Sequence, residues 1–330
     1  MNSELVIVLA FVAVVFTIFE QCVRIIVLIW ERRASFKPTP LQIGTLVLGA
    51  IGICCVVYGF FEPLRLVTTS LKISSSKLRS PIRIVHLTDL HCDGTIRNEK
   101  KLPQVVRDLH PDLILFTGDA ANNELGLEDF QTCMAEISKI APTFGVYGNH
   151  DSRSRRKVET FQNSGVDNLD SRSTLIDVNG NKVWIGGAAI DSEGFLSDIM
   201  SKAPGDAYKI FLYHYPDGIR AASAKGLDLL LAGHTHGGQI RLPFYGALVT
   251  ASSMGKQFEY GHYVVGKTHM NVSSGIGMTG LPVRFLTPPE VAAIDVVPEK
   301  AGTFPLPPDD SPAMTGRAGG TTKENGSIEK

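Results

Sequence analysis

Residues Leu41 to Phe61 run for twenty-one positions without one charged side chain. A bilayer core of about 30 Å takes about 20 apolar helical residues to cross, so this stretch is long enough to span on its own. Another apolar run precedes it. Leu5 to Phe19 is interrupted only by Thr17, and apolar character resumes from Ile25 to Trp30. This earlier run reaches spanning length only by including Glu20, Gln21 and Arg24. Glu20 and Arg24 are four apart, on one helix face in the order that favours pairing, and near a membrane boundary they can snorkel. The basic segment that opens a cleaved signal peptide is missing from residues 1–4. The expectation is an anchor of two transmembrane helices over 1–61, with the lipid bilayer as its partner.

Orientation follows from the basic residues. The connector carries Arg32, Arg33 and Lys37, whereas residues 1–4 carry none. The positive-inside rule then keeps the connector in the cytoplasm and places the soluble part outside. Arg65, Lys72, Lys77 and Arg79 pull the other way, and the expectation leans to an outward-facing domain. Arg32-Arg33 faintly resembles a twin-arginine signal, which the upstream span argues against.

The segment 62–81, with Ser74-Ser75-Ser76 and a proline stop at Pro81, reads as a stalk. Beyond it, Ile82 to Leu87 is a short β-branched run typical of a buried strand. Helical spacing over 98–109, a strand at Leu113–Phe116, a helix over 128–140 and a strand ending at Gly148 imply an α/β sheet. Further strands are expected at Thr174–Val178, Lys182–Gly186, Lys209–Tyr213, Asp228–Leu231, Met270–Val272 and Val291–Val296. From about Pro298 the composition turns to Gly, Pro, Ser, Thr and charge, so 298–330 is expected to be a disordered tail. The formal net charge is −1, which gives no electrostatic case for nucleic acid as a partner. The five cysteines, Cys22, Cys54, Cys55, Cys92 and Cys133, form no spaced framework and leave the redox compartment open.

Five strand ends are followed at once by metal-ligand residue types. In order they are Asp89-Leu90-His91, Gly118-Asp119, Gly148-Asn149-His150-Asp151, His214, and Gly233-His234-Thr235-His236-Gly237-Gly238. Open α/β sheets place their sites beyond the carboxyl ends of strands, so these pieces can converge. Imidazole with carboxylate suits Zn, Mn or Fe, where an all-oxygen set would suit Mg or Ca. In Asp-x-His and His-x-His, residues separated by one share a side of an extended segment. A carboxylate such as Asp119 can bridge two ions about 3.5–4 Å apart. Taken singly the pieces have bland readings. Asp-x-His is a common strand-end pair, Gly-Asn-His-Asp a turn, His214 a core histidine. Gly-His-Thr-His-Gly-Gly resists such a reading, because two imidazoles among glycines have little packing value. His86, His110, His262 and His269 lie outside the pattern and read as structural or surface residues.

The order of these motifs resembles the calcineurin-like metallophosphoesterase superfamily. Gly-Gly-Gln-Ile-Arg-Leu-Pro (237–243), Ser-Ser-Gly-Ile-Gly (273–277) and Leu-Pro-Val-Arg-Phe (281–285) with Pro-Pro-Glu (288–290) look like its membrane-associated bacterial branch. The resemblance covers 82–297 and implies a four-layer α/β/β/α sandwich. It implies one divalent ion on Asp89, His91, Asp119 and His236, and a second on Asp119, Asn149, His214 and His234. The one departure is Thr88 where many members have Ser or Gly. The implied activity is hydrolysis of a phosphoester or pyrophosphate by an integral protein of a bacterial membrane. His150 is the candidate to assist the leaving oxygen, and Asp151 to orient that imidazole.

Arg153, Arg155, Arg156 and Lys157 suit either a phosphate or lipid headgroup, or a solvated helix face; Arg284 invites the same question. A phosphorylated small molecule or lipid is the expected substrate. Some relatives cleave UDP-2,3-diacylglucosamine, which would require a cytoplasmic site. The alternatives are an extracytoplasmic phosphodiesterase on phospholipid or cell-wall phosphate, and a metal-binding scaffold without turnover. Two spans without central charge make a poor transport pathway.

Overall fold

The computed structural model describes residues 3–32, 37–153, 160–189 and 196–299. Arg33, Arg155, Arg156, Lys157, the side chains of Arg32 and Arg153, and the tail beyond Glu299 lie outside the described residues, so the expectations placed on them are not taken further.

Two long apolar helices come first, α1 (Ser3–Arg32) and α2 (Pro40–Phe61). Both are long and apolar enough to cross a membrane, with a mean hydropathy of 2.5 over Val6–Glu31 and 2.2 over Pro40–Leu64. Glu20 and Arg24 pair at 2.6 Å on α1. A capping box of Thr39 and Gln42, with Pro40 in the first turn, sets the start of α2. The helices approach closely at Gly49, where a Cβ would lie 2.5 Å from Cys22 Sγ. Small residues let apolar helices pack in this way.

The rest of the chain builds two six-stranded sheets. In chain order the elements are β1 (Val67–Ser75), β2 (Ile82–Leu87), α3 (Leu102–Asp108), β3 (Leu113–Phe116), α4 (Glu124–Ile137), β4 (Thr143–Gly145), α5 (Asn149–Arg153), β5 (Asp167–Asn168), β6 (Arg172–Val178) and β7 (Asn181–Ala188). There follow α6 (Leu196–Ser201), β8 (Tyr208–Tyr213), α7 (Ile219–Ala224), β9 (Leu229–Ala232), a short hairpin of β10 (Arg241–Leu242) and β11 (Gly246–Ala247), β12 (Gly261–Val265), β13 (Thr268–Val272) and β14 (Glu290–Pro298). The first sheet runs β1-β14-β2-β3-β4-β5 and the second β12-β13-β9-β8-β7-β6. Neighbours β2, β3, β4 and β5 are parallel, as are β7, β8, β9 and β13.

Strand alternation divides the apolar residues into three cores. Ile82 and Ile84 of β2 face Ile210 and Leu212 of β8 and Leu229 and Leu231 of β9, forming the layer between the sheets. Val85 and Leu87 point the other way, onto Val106 of α3 and Phe130 and Met134 of α4. Phe211 and Leu230 face outward from the second sheet, onto Ile199 of α6 and Ile219 of α7. Helix, sheet, sheet, helix is the four-layer α/β/β/α architecture. His86 bridges the layers, with Nε2 2.8 Å from Thr117 Oγ1 on one side and Nδ1 3.1 Å from Asn271 on the other.

The main correction concerns 62–81, which reads as a stalk in the sequence. Val67–Ser75 is a strand paired parallel with β14 in unbroken register from Val67↔Glu290 to Ser75↔Pro298. Thr and Ser on an edge strand can face water on one side, so its composition resembles a linker. Before β1, Asn98 Nδ2 donates to Pro63 O (2.8 Å) and Lys101 Nζ to Leu64 O (2.7 Å), which leaves no free spacer between α2 and the sheet.

Candidate metal centre

The loops that follow β2, β3, β4, β8 and β9 bring the candidate residues to one place. Both sheets present the carboxyl ends of their central parallel strands there. Asp89, His91, Asp119, Asn149, His150, His214, His234 and His236 all take part, and His91, Asp119, Asn149, His150, His234 and His236 line one cavity of about 280 Å³ with Tyr215, Ala251 and Thr279. Ligand atoms of Asp89, His91 and His236 lie within 4.8 Å of one another, as do those of Asp89, Asp119 and His214, and those of His91, Asp119 and His150.

Three of the imidazoles, His91, His214 and His234, are each set in one tautomer by an outer partner. Asn122 Nδ2 donates to the carbonyls of His91 (3.1 Å) and Met278 (2.9 Å), so its Oδ1 must face His91 and accept from Nδ1–H at 2.7 Å. His91 Nε2 is left with a free lone pair, 3.4 Å from Asp119 Oδ2 and 3.7 Å from Asp89 Oδ1. His214 Nδ1–H donates to the Thr117 carbonyl at 2.6 Å, leaving Nε2 3.3 Å from Asp119 Oδ2 and 3.9 Å from Asp89 Oδ1. His234 Nε2–H donates to the Ala251 carbonyl (3.0 Å), which frees Nδ1. Outer partners of this kind orient metal-binding histidines and raise their basicity.

The carboxylates are held as firmly. Asp89 Oδ2 accepts from Thr88 Oγ1 (2.8 Å) and His234 N (3.0 Å), so Oδ1 points at the imidazoles, 3.3 Å from His236 Nε2. Asp119 Oδ1 accepts from His150 N at 2.8 Å, leaving Oδ2 to the cluster. Among the candidate ligands, the buried atoms Asp89 Oδ1, Asn149 Oδ1 and His214 Nε2 have no hydrogen-bond partner, nor has His236 Nδ1 on the side of its ring away from Asp89. Native interiors rarely leave such groups unpaired, and a site that takes up an ion is one established reason for it. His91 and His236 also face each other through Nε2 at 3.1 Å, an arrangement that a shared cation makes favourable. The donor set therefore fits divalent ions of the borderline type.

Charge follows the same geometry. Burial raises the pKa of Asp89, but His236 and His214 outweigh it and hold the carboxyl well below its ordinary range. Burial likewise opposes the charge on Asp119, which His214 and His91 keep low. For His214 burial works against protonation, and Asp119 and Asp89 overcome it to raise the imidazole to about 9. Burial, with the His214 charge, lowers His234 to about 4.

Two expectations change. His-x-His and Asp-x-His do not lie in extended chain: Asp89, His91, His234 and His236 have φ of 50°, 42°, 71° and 52°. They converge through left-handed turns instead. Asp151 does not orient His150. Its Oδ2 accepts from Asp119 N (2.7 Å) and Gly148 N (2.8 Å), and its Oδ1 from Ala120 N (3.0 Å). Burial and the Asp119 charge push this carboxyl up to about 6, against three amides that favour the anion. Asp151 thus ties the Asp119 loop to the Asn149 loop. Arg284 leaves the cavity altogether: fully buried, its guanidinium donates to the carbonyls of Ser274, Gly275, Gly277 and Thr287. That loop in turn donates from Ile276 N and Gly277 N to the Asp89 carbonyl.

Asn122 and Tyr215 are the residues that the sequence reading misses. Tyr215 meets the His234 ring edge-on at 4.1 Å. It directly follows His214, and Asn122 stands three places after Asp119, but neither position carries a pattern that marks it. Glycine supplies the closeness required: a Cβ at Gly233 would lie 2.1 Å from Asp89 Oδ2, and one at Gly148 2.1 Å from Asp119 Oδ1.

Comparison with known proteins agrees with this geometry. The profile of the calcineurin-like phosphoesterases matches residues 82–238. The chain is 33% identical over 252 residues to the metallophosphoesterase YkuE of Bacillus subtilis (strain 168), covering 70% of this chain and 86% of that one. It is 28% identical over 253 residues to the phosphodiesterase YaeI of Escherichia coli (strain K12), covering 72% and 89%. The chain belongs to the calcineurin-like phosphoesterase family, as a metal-dependent phosphoester hydrolase.

Proposed function

We propose that this chain is a membrane-anchored hydrolase that uses two divalent ions to cleave a phosphoester or pyrophosphate bond of a lipid-linked substrate. UDP-2,3-diacylglucosamine is the named candidate. The observation that carries the reading is the set of three unpartnered buried atoms, Asp89 Oδ1, Asn149 Oδ1 and His214 Nε2, among the residues that the five loops bring together. The assignment is Asp89, His91, Asp119 and His236 to one ion, and Asp119, Asn149, His214 and His234 to the other. Asp119 recurs in two ligand groups, as do Asp89 and His91; of the three, Asp119 is the one assigned to both ions.

Two such ions supply Lewis acidity and make hydroxide available near neutral pH. The chain's own part is to hold His91, His214 and His234 in fixed tautomers and Asp89 and Asp119 in fixed orientations at the cavity. His150 lies half-buried at the cavity, its ring 4.7 Å from that of His91 and edge-on to it. Burial lowers its pKa, so at pH 7 the neutral ring serves as a hydrogen-bond donor to the leaving oxygen. Its backbone bond to Asp119 Oδ1 fixes where it sits. The tyrosine and threonine of the rim, Tyr215 and Thr279, are placed to meet the rest of the substrate.

An extracytoplasmic phosphodiesterase acting on phospholipid or cell-wall phosphate is the second reading. The basic connector favours it, because it places the soluble part outside. The test is metal analysis and turnover of bis-p-nitrophenyl phosphate by detergent-solubilised protein loaded with Mn, Zn, Fe or Mg, followed by a lipid and nucleotide screen. His150→Gln is expected to lower kcat with metal content retained. Metal loss in that variant would make His150 a ligand. Bound metal without turnover across the screen would instead mean a scaffold.

A further inference from the structure

The last turn of α2 is docked on the catalytic domain. Pro63 has no N–H, so the Gly59 carbonyl, which an uninterrupted helix would close on residue 63, accepts instead from Arg284 N at 3.0 Å. Gly59 is the one buried residue of α2, and a Cβ there would press on the Arg284 carbonyl at 3.4 Å. Tyr58 meets Phe285 edge-on at 5.9 Å. Gly59 lies two residues before the end of α2, about 3 Å along the axis. The segment 281–285 therefore sits at the depth of the final helical turn, not above it.

From that segment the chain leads outward to an exposed apolar edge. Phe285 N donates to Gln239 O and Arg241 N to Phe285 O, each at 2.9 Å, which joins the segment to the β10–β11 hairpin. The hairpin turn holds Phe244 at φ 65°, a left-handed conformation that phenylalanine adopts rarely, and leaves its side chain fully in the open. Tyr245 beside it is exposed and carries Lys256 Nζ 4.1 Å over its ring. Leu281 is 67% exposed, two residues from Thr279 at the cavity rim. Phe61 and Leu64 are exposed at the helix exit.

We propose that Phe244, Tyr245 and Leu281 form a second membrane contact, beside α2, which holds the cavity mouth at the level of the lipid headgroups. The occupant is the bilayer itself, because the edge is continuous with the end of an apolar helix and lies at its depth. Aromatic rings with an adjacent lysine are what the membrane–water boundary favours. The substrate class that fits is an amphiphile of the same leaflet, its phosphoryl group reaching in past Thr279 and its chains staying in lipid. This deepens the hydrolase reading and rests on it and on α1 and α2 spanning the membrane.

The test uses the full chain in phospholipid nanodiscs. In a Trp30→Phe background, Phe244→Trp is expected to give a blue-shifted indole that loses at least half its intensity to brominated acyl chains; Trp184 is buried and out of reach. Phe244→Asp is expected to cut turnover of a phosphatidyl-p-nitrophenyl diester in the same discs about tenfold, as one inserted aromatic anchor allows, and to leave bis-p-nitrophenyl phosphate within about twofold. An indole that stays unquenched overturns the contact. So does quenching that appears only with self-association, which would make the occupant another copy of this chain, and so does an equal loss on both substrates. If the indole is quenched but wild-type protein with metal turns over neither substrate, the contact stands and the hydrolase reading falls.

Discussion

Proton and metal compete for His214, and the competition gives the metal-free protein a pH dependence of stability that metal loading cancels. His214 is fully buried, with Nδ1–H on the Thr117 carbonyl and Nε2 beside Asp119 and Asp89. Burial disfavours its charge, but the two carboxylates raise it to about 9 from an ordinary 6.5. A raised folded pKa means that the protonated imidazole stabilises the metal-free fold. That contribution is complete below pH 6.5 and disappears as pH rises through 9. A shift of that size corresponds to about 3 kcal/mol. A metal ion needs the same Nε2 lone pair, so binding at pH 7 must release the proton, and affinity should rise about tenfold per pH unit from 7 to 9. The assay is thermal unfolding of detergent-solubilised protein with chelator and with Mn, from pH 6.5 to 9. Calorimetric titration in two buffers of different ionisation enthalpy counts protons. The metal-free Tm should fall across this range, and the gap between loaded and free protein should widen. His214→Asn should release one proton fewer. A flat metal-free Tm, or unchanged proton release in the variant, would refute the reasoning.

Two further outcomes follow from the supports around the ligands. Arg284→Leu leaves the carbonyls of Ser274, Gly275, Gly277 and Thr287 buried without donors; at roughly 1–3 kcal/mol each the domain should lose at least about 4 kcal/mol, read as a lowered denaturation midpoint even with metal present. Asn122→Ala frees the His91 ring to turn or change tautomer, and metal affinity should fall about 10–100-fold, measured by competition with a chromogenic chelator, with the metal-free Tm lowered by no more than a few degrees.

The central strands were legible because β2, β3, β8 and β9 are short, almost wholly apolar runs that end on residues with no packing value. Leu113–Phe116 shows both properties: four buried apolar residues, then Thr117-Gly118-Asp119. The edges were not legible. β1 mixes Thr, Ser and Lys because one side of an edge strand faces water, and nothing local tells it from a linker; its partner, β14, is more than two hundred residues away. The seven candidate residues were readable as Asp, His and Asn directly after strand ends, and four of them, Asp119, Asn149, His234 and His236, also stand beside glycine. Their supports were not. Arg284 is charged, and charged residues are rarely buried unless paired, so pattern places it on the surface. Its pairing with four carbonyls exists only once the 273–287 loop has folded around it. In sequence Asp151 reads as a partner of its neighbour His150, yet its three donors come from Asp119, Ala120 and Gly148, a choice made by the crossing of two loops.

Left-handed backbone explains why the ligand motifs look as they do. Asp89, His91, Asp119, His234 and His236 all have φ between 42° and 71°, at a cost of roughly 1–2 kcal/mol each for a residue with a Cβ. Five such residues approach the whole stability of an ordinary domain, so the turns persist only because other contacts determine them. Those contacts are specific. Asp89 N donates to Gly118 O and His91 N to Asp119 O, while Gly277 N closes on the Asp89 carbonyl. Glycine at the five positions would relieve the strain and remove the ligand. Glycine stands beside Asp119 and His234 instead, at Gly118 and Gly233, and Gly148 precedes Asn149; at each of the three, one loop's backbone must come within contact of another's carboxylate or amide. Where glycine flanks a candidate ligand, as at Gly118-Asp119 and Gly233-His234, the pair is therefore the imprint of two demands on one turn: one position must keep its side chain in an unfavourable conformation, and its neighbour must have none.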